Sequence, residues 1–392
     1  MKNLPLSHLE LSKENLICNF KQFKDLAKKG TKFSVAVKGN AYGHGLEEVV
    51  KILKPYVDYF QVNSIEELKS LRKITNIKIL LLGYIQKEDL EKAMKFDCIL
   101  SVFSLNQLKE ISLVAKKLKK VQEIHVPIDA CLGREGFLVG DLPKFFIELK
   151  KCNRVKGRAG NIKLTGIYAH FANIEDTNNF THAEKQIKNY EEAKKIARKF
   201  GYGNPPRFGE VGFETHISAT SGLLIYEKKE GINSIIRLGI GVYGMWPSEH
   251  IKYLYRNKMK LKPVLSWKTK IAQVKNLPAG STIGYGLAYT AFKPIKIAVI
   301  PQGYADGFDR GLSNKGEVLI HGTRCKILGR IAMNMFVVNV SHLENVKIED
   351  EVVIIGQQGK QEITAEEIAE KIDTINYEIT TRISSLLPRI VI

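Results

Sequence analysis

From about residue 30 to 245, short β-branched runs alternate with longer stretches in which apolar residues recur at helical spacing. The runs are Phe33–Val37, Asp58–Val62, Lys78–Leu82, Cys98–Val102, Ile124–Ile128, Leu164–Ala169, Glu214–Ser218 and Ile235–Leu238. Between them lie Gly45–Leu53, Ser64–Leu71, Lys87–Lys95, Leu105–Leu118 and Thr181–Phe200, each patterned as a helix with one buried face. Eight strands alternating with helices predict a (β/α)8 TIM-like barrel more readily than an open doubly wound sheet. No G-x-G-x-x-G follows the first run, so the mark of a dinucleotide fold is missing. After about residue 250 the pattern changes to short strands and turns: Trp267–Val274, Ile295–Val299, Glu317–Ile320, Arg324–Leu328, Phe336–Val340 and Glu351–Ile355. A short helix, Ala365–Lys371, and a last run, Leu387–Ile392, complete a mostly β domain. The spacing predicts an α/β chain with an N-terminal barrel over 1–247 and a C-terminal β domain over 248–392. The first dozen or so residues are candidates for pairing with the second domain.

Composition narrows the function classes. A chain of 392 residues exceeds what one hydrophobic core usually holds, in keeping with two domains. With 44% hydrophobic and 26% charged residues it is neither disordered nor a small disulfide scaffold. No apolar run approaches the roughly 18 residues of a membrane-spanning helix, and the first twenty residues lack a secretory core. A soluble, cytoplasmic protein is expected. Five cysteines, with no CxxC pair, read as reduced thiols and not as a zinc site, so no metal is expected. The net charge of +19 raises the question of a nucleic-acid partner. It comes from 47 lysines against 13 arginines, scattered and interleaved with glutamate, which describes a solvated surface. No nucleic-acid or membrane partner is expected.

In a (β/α)8 barrel, chemistry sits past the C-terminal ends of the strands. After the first run comes Lys38-Gly39-Asn40-Ala41-Tyr42-Gly43-His44-Gly45. A lysine there enters the barrel mouth, where desolvation lowers its pKa and makes it a nucleophile or Schiff-base former. Its three glycines would let backbone approach a ligand closely. Asp129 and Gly133-Arg134-Glu135-Gly136 follow the fifth run, and His170 ends the sixth. Thr220-Ser221-Gly222 follow the seventh, and Arg237-Leu238-Gly239-Ile240-Gly241 the eighth. Hydroxyls and glycine amides at that last pair of strands form the phosphate position common in this fold. Taken alone, Lys38 reads as a surface lysine, Thr220 as a helix cap and His170 as a packed histidine. Together they suggest a phosphorylated aldehyde cofactor, pyridoxal 5′-phosphate (PLP).

These segments carry a family resemblance. AVKGNAYGHG (36–45) is similar to the PLP-lysine signature of bacterial alanine racemases. So are GIYAHFA (166–172), IRLGIGVYG (236–244), LKPVLSWKTKIAQVKNLPAGSTIGYG (261–286), GYADG (303–307), GRIAMNM (329–335) and INYEITTRISSLLPRI (375–390), in family order. The resemblance implies PLP-dependent interconversion of L- and D-alanine, supplying D-alanine for peptidoglycan. It implies Lys38 as PLP carrier and base for the D-substrate, and Tyr285 as base for the L-substrate. His170 and Arg237 would support the tyrosine, with Arg237 also facing the pyridine nitrogen. Arg134 would reach the phenolic oxygen and the substrate carboxylate. Tyr42, Thr220, Ser221, Gly239, Ile240 and Tyr377 would surround the phosphate, and Met333 and Tyr304 the substrate carboxylate. Each site would combine one chain's barrel with the β domain of its partner in a head-to-tail homodimer.

Three positions depart from the family pattern. Pro127 replaces a carbamylated lysine that steadies the arginine, Ala219 replaces an asparagine, and Asn334 replaces an acid. Without the carbamate, Asp129, Glu135, a bound chloride or water would have to face Arg134. Competing readings are a PLP decarboxylase of similar build, a non-catalytic PLP-binding regulator and a racemase of broader specificity. The intact C-terminal motifs argue against the first two.

Overall fold

The computed structural model describes residues 4–154, 160–203, 212–226 and 233–392. In chain order the strands of its first half are β1 (His8–Leu11), β2 (Lys32–Ala36), β3 (Tyr59–Val62), β4 (Lys78–Leu81), β5 (Ile99–Ser101), β6 (Gln122–Pro127), β7 (Ile162–Tyr168), β8 (Glu214–His216) and β9 (Ile235–Leu238). Strands β2 to β8 follow one another around a parallel sheet, and β9 pairs back onto β2. Between β8 and β9 no regular ladder forms. Ser234 N–H donates to Thr215 O at 2.7 Å, and Asn233 Oδ1 accepts the amides of Ile217 and Ser218. Two backbone bonds, from Ser234 and from Arg237 N–H to Ser218 O, and the Asn233 side chain thereby finish a barrel that the short β8 cannot close alone. Two of the intervening helices, Ile65–Arg72 and Leu105–Lys117, begin at the side-chain caps Ser64 and Ser104, and the capping box of Ser64 with Glu67 satisfies exposed amides at both ends of the motif.

The second half contributes β10 (Leu265–Lys270), β11 (Gln273–Leu277), β12 (Thr282–Ile283), β13 (Tyr289–Thr290), β14 (Ile295–Ile300), β15 (Glu317–Ile320), β16 (Thr323–Leu328), β17 (Phe336–Asn339), β18 (Glu351–Gln358), β19 (Gln361–Ile363) and β20 (Arg389–Val391). They form a large sheet ordered β11-β14-β17-β16-β15-β18-β10-β1-β20, with β19 on β18 and a separate β12–β13 hairpin. The N-terminal β1 is thus part of the C-terminal sheet, antiparallel to β10 and parallel to β20. The stretch Trp267–Val274, expected as one strand, is two. Strict alternation of buried residues stops at Ile271, and the chain leaves β1 and β18 to pair with β14 instead.

One apolar core runs from barrel to β sheet, so Leu9, Phe20, Phe60, Trp267 and Val353 belong to a single cluster. A first helix, Lys13–Leu26, bridges the halves through Asn19, which is fully buried. Its amide nitrogen donates to Lys262 O at 2.8 Å and Val242 O at 3.3 Å, and its oxygen accepts Lys262 N–H at 2.9 Å. Replacing Asn19 by Ala strips partners from three backbone groups at once. Unfolding in urea is expected to show a loss of about 2–4 kcal/mol. A loss below about 0.5 kcal/mol, the range of neutral surface changes, would contradict this bridging role.

Candidate active site

Alternation along β2 puts Lys32, Ser34 and Ala36 on the inner side of the barrel, and Lys38 continues that parity into the mouth. The next residues form a left-handed helical turn. Gly39, Asn40, Ala41 and Tyr42 all have φ between 52° and 60°, closed by Ala41 N–H to Val37 O and Gly43 N–H to Gly39 O, both 2.9 Å. Left-handed residues other than glycine cost roughly 1–2 kcal/mol each, so neighbours must hold the turn in place. Glu67 accepts Gly39 N–H at 2.6 Å, Asn40 Oδ1 accepts Leu46 N–H at 2.8 Å, and Arg389 donates to Gly43 O at 2.9 Å. The glycines, expected to make room for a ligand, do not do so at Gly43. A Cβ there would lie 1.8 Å from Thr380 O, so the close approach is to the chain's own C-terminal helix, Asn376–Thr381.

That helix brings Tyr377 to the mouth, where its ring lies 6.0 Å from that of Tyr42. The Tyr42 ring also lies 5.3 Å from Tyr243, and a Cβ on Gly239 would sit 3.1 Å from the Tyr42 hydroxyl. Thr220 Oγ1 accepts Gly239 N–H at 3.2 Å and joins the loops after β8 and β9, while Ile240 opens the buried turn beyond β9. Ser221 Oγ donates to the Glu175 carboxylate at 2.7 Å. Tyr42, Thr220, Ser221, Gly239, Ile240 and Tyr377 therefore lie together at the mouth. Burial first, then the Glu175 charge, pushes the Tyr42 phenol up to about 12 and the Tyr377 phenol higher still. Burial also raises the Glu175 carboxyl. The sequence reading missed Glu175, whose only signal was an acid five residues past His170 on the same strand-end loop.

On the other side of the mouth, Arg237 is buried and its guanidinium donates to Ala169 O at 2.8 Å, His216 O at 2.9 Å and His170 Nδ1 at 3.2 Å. A guanidinium only donates, so His170 Nδ1 is the acceptor and a neutral His170 carries its proton on Nε2. Burial, then Arg237, Arg134 and Lys38, pulls the His170 pKa down to about 3, which keeps the ring neutral. Burial lowers Arg237 to about 10, still charged at neutral pH. Its Nε–H has no partner among the described residues. The amine of Lys38 is lowered by burial first and then by Arg134 and Arg237, against a smaller opposing pull from Glu67 and Glu135.

Arg134, His170, Glu175 and Ser221 line one cleft beside this mouth. Arg134 is clasped by both carboxylate oxygens of Glu135, from Nε and, at 2.8 Å, from NH2. Pro127 ends β6 and only accepts Phe137 N–H. Asp129 spends its carboxylate on the Leu132 and Gly133 amides. Of the two carboxylates weighed for Arg134, the one in contact is Glu135.

Tyr285, Tyr304 and Met333 do not join the cleft of their own chain. Tyr304 and Met333 are neighbours, since Tyr304 N–H donates to Ala332 O and Ala305 N–H to Met333 O. Tyr285 is 73% exposed and Met333 55%, on a surface that also displays Leu287 and Met335. Among the described residues none of the three hydrogen-bonds to the barrel.

Against known proteins, residues 11–247 match the family model for the alanine racemase N-terminal domain and residues 264–391 that for its C-terminal domain. The alanine racemase of Leptospira interrogans is 35% identical over 398 aligned residues, covering 100% of this chain and 97% of that protein. The structure of alanine racemase from Clostridium difficile 630 superposes with a TM-score of 0.89 at 31% identity, covering 100% and 97% of the two chains. That of alanine racemase from Bacillus anthracis with bound L-Ala-P gives 0.88 at 30% identity, covering 100% and 96%. Both halves of this chain, the barrel with its lysine and the β domain beyond it, belong to the alanine racemase family.

Proposed function

We propose that this chain is an alanine racemase that interconverts L- and D-alanine with PLP held by Lys38. The observation that carries this reading is the mouth itself. A lysine of lowered pKa faces a buried, charged Arg237 on one side and, on the other, a cradle of hydroxyls in which Ser221 donates to a carboxylate. PLP, when bound, supplies an electron sink that acidifies the Cα–H of an amino acid. The residues fit that group. Lys38 would carry its aldehyde end. Tyr42, Thr220, Ser221, Gly239, Ile240 and Tyr377 would hold its phosphate, the Glu175 carboxylate giving way to the stronger anion. The free Nε–H of Arg237 would donate to its ring nitrogen, and a guanidinium that stays protonated keeps that nitrogen from taking the proton.

Racemisation needs a base on each face of Cα. Lys38 takes or returns the proton on the face of D-alanine. The phenol of Tyr285 serves the other face, and His170 Nε2–H backed by Arg237 stabilises its oxygen when it gives the proton up. Arg134 neutralises the substrate carboxylate, helped by Tyr304 and the backbone N–H of Met333. Exposure of Tyr285, Tyr304 and Met333, on a face bearing Leu287 and Met335, supports their supply to a second chain in a head-to-tail homodimer. Five free thiols fit a reducing, cytoplasmic setting, where D-alanine would serve peptidoglycan synthesis.

Chiral analysis of L-alanine incubated with the PLP-loaded protein is expected to show D-alanine rising to equal amounts. The Lys38→Ala variant is expected to fall by at least about 10²–10⁴-fold. Amine release, or no D-alanine, would overturn the assignment.

Glu135 makes a carbamate unnecessary beside Arg134, and Pro127 has no amine to form one. Thorough removal of CO2 and bicarbonate is therefore expected to leave turnover unchanged. A reversible loss would mean that a carbamylated lysine elsewhere in the chain supports the site.

A further inference from the structure

The inside of a (β/α)8 barrel is usually filled by layers of branched apolar side chains. Here a polar column descends from the mouth. Register sets Pro127, Tyr168 and His216 side by side on β6, β7 and β8, and one layer deeper it sets His125, Gly166 and Glu214 side by side. Arg237 NH1 lies 2.7 Å from His216 Nδ1, and His216 Nε2 lies 2.9 Å from His125 Nδ1. His125 Nε2 is 3.4 Å from Glu214 Oε2, within ion-pair distance but not aligned as a hydrogen bond, so this is the longest and weakest link. At the base, Glu214 Oε1 accepts Lys32 Nζ at 2.7 Å and the Tyr59 hydroxyl. His125 and His216 are fully buried and Glu214 is 2% exposed.

The two ends dictate every proton between them. Arg237 can only donate, so His216 Nδ1 must accept, which puts the His216 proton on Nε2. That proton faces His125 Nδ1, which must accept in turn, so His125 carries its proton on Nε2, toward Glu214. The carboxylate, an acceptor only, terminates the chain. Burial, then Arg237, holds the His216 pKa well below its usual value, so the ring stays neutral. Donors from His125, Lys32 and Tyr59 outweigh burial and hold the Glu214 carboxyl down to about 2, so it stays ionised.

We propose that Glu214 and His125 are positioning residues for the reaction, holding Arg237 in its donor orientation from the far end of the barrel by fixing the tautomer of His216. The inference rests on the reading of Arg237 as the group that meets the cofactor. Two features are shaped to this column. A Cβ on Gly166 would sit 2.8 Å from His125 Nε2, so glycine there makes room for the ring. The Tyr168 ring stacks on His216 at 5.1 Å and 7°, with the Arg237 guanidinium 5.5 Å from the same ring. A carboxylate and a guanidinium inside one barrel are costly to desolvate, and apolar replacements are often as stable, which argues for a role beyond stability.

Glu214→Gln tests the polarity. Lys32 and Tyr59 both donate, so the amide would turn its oxygen to them and its NH2 to His125. His125 would then protonate on Nδ1 and donate to His216 Nε2, and His216 would meet Arg237 with a second donor. Long-range ¹⁵N–¹H spectra of histidine-labelled, cofactor-free protein are expected to show Nε2–H tautomers for both rings in the wild type and Nδ1–H for both in Glu214→Gln. With PLP loaded, the variant is expected to show a shifted cofactor absorption band. Its kcat should be lower by about 10–100-fold, the range of comparable supporting-residue changes, with a smaller change in KM. Nδ1–H on either ring of the wild type overturns the chain of hydrogen bonds, and this spectrum decides even if the variant does not fold. Flipped tautomers with unchanged band and kcat overturn the positioning role. Absence of racemisation in the wild type would fail the proposed function instead, leaving the tautomer result to stand on its own.

Discussion

Placing the guanidinium of Arg237 inside the barrel is the constraint from which the site is built. A buried charge of that size is tolerated only if its donors find acceptors. Three come from backbone at the ends of β7 and β8, the carbonyls of Ala169, His216 and, at 3.4 Å, Ile217. Two come from the rings of His170 and His216. Because each contact runs from arginine to acceptor, Arg237 sets the proton position on both histidines. His170 is left presenting Nε2–H, and His216 is left needing an acceptor deeper in the barrel, which His125 supplies.

A second constraint acts on Lys38. The left-handed turn behind it would unwind in an isolated peptide, and its support comes from distant parts of the chain. Glu67 holds the turn from the helix after β3, and Arg389 and the Asn376–Thr381 helix hold it from the C-terminal end. The same helix delivers Tyr377 next to Tyr42. The β domain therefore shapes the lysine's surroundings within its own chain, apart from any part it plays across a dimer. The shared core and the Asn19 bridge keep the two halves in register for this.

Much of this was legible from the sequence, for a physical reason. Strand alternation and the rule that barrel chemistry sits at strand ends were enough to single out Lys38, Arg134, His170 and Arg237. Thr220, Ser221, Gly239 and Ile240, proposed for the phosphate, were legible for the same reason, whereas Tyr42 and Tyr377 came to that role from the resemblance. Less legible was whatever depends on pairing across space. His125 and His216 meet over 91 residues, and nothing local marks either as part of a column. Glu175 looked like an ordinary loop acid until geometry put it against Ser221, and Glu135 was one of several candidates to face Arg134. The glycines after Lys38 looked like room for a ligand, whereas the space at Gly43 is filled by Thr380. The helix Lys13–Leu26 lay ahead of the first recognised run, and the break between β10 and β11 leaves no turn residue to announce it.

The proposed function requires Lys38 of one barrel to work with Tyr285 of another chain. Inactive Lys38→Ala and Tyr285→Phe proteins can be mixed, dissociated and reassociated to test that cooperation. In a mixed dimer one site carries both changes and the other carries neither. Recovery of roughly a quarter of wild-type turnover is expected at equal proportions, since half of random dimers are mixed and each has one intact site. Mixed dimers that form, as shown by native mass spectrometry, and yet remain inactive would contradict the shared site.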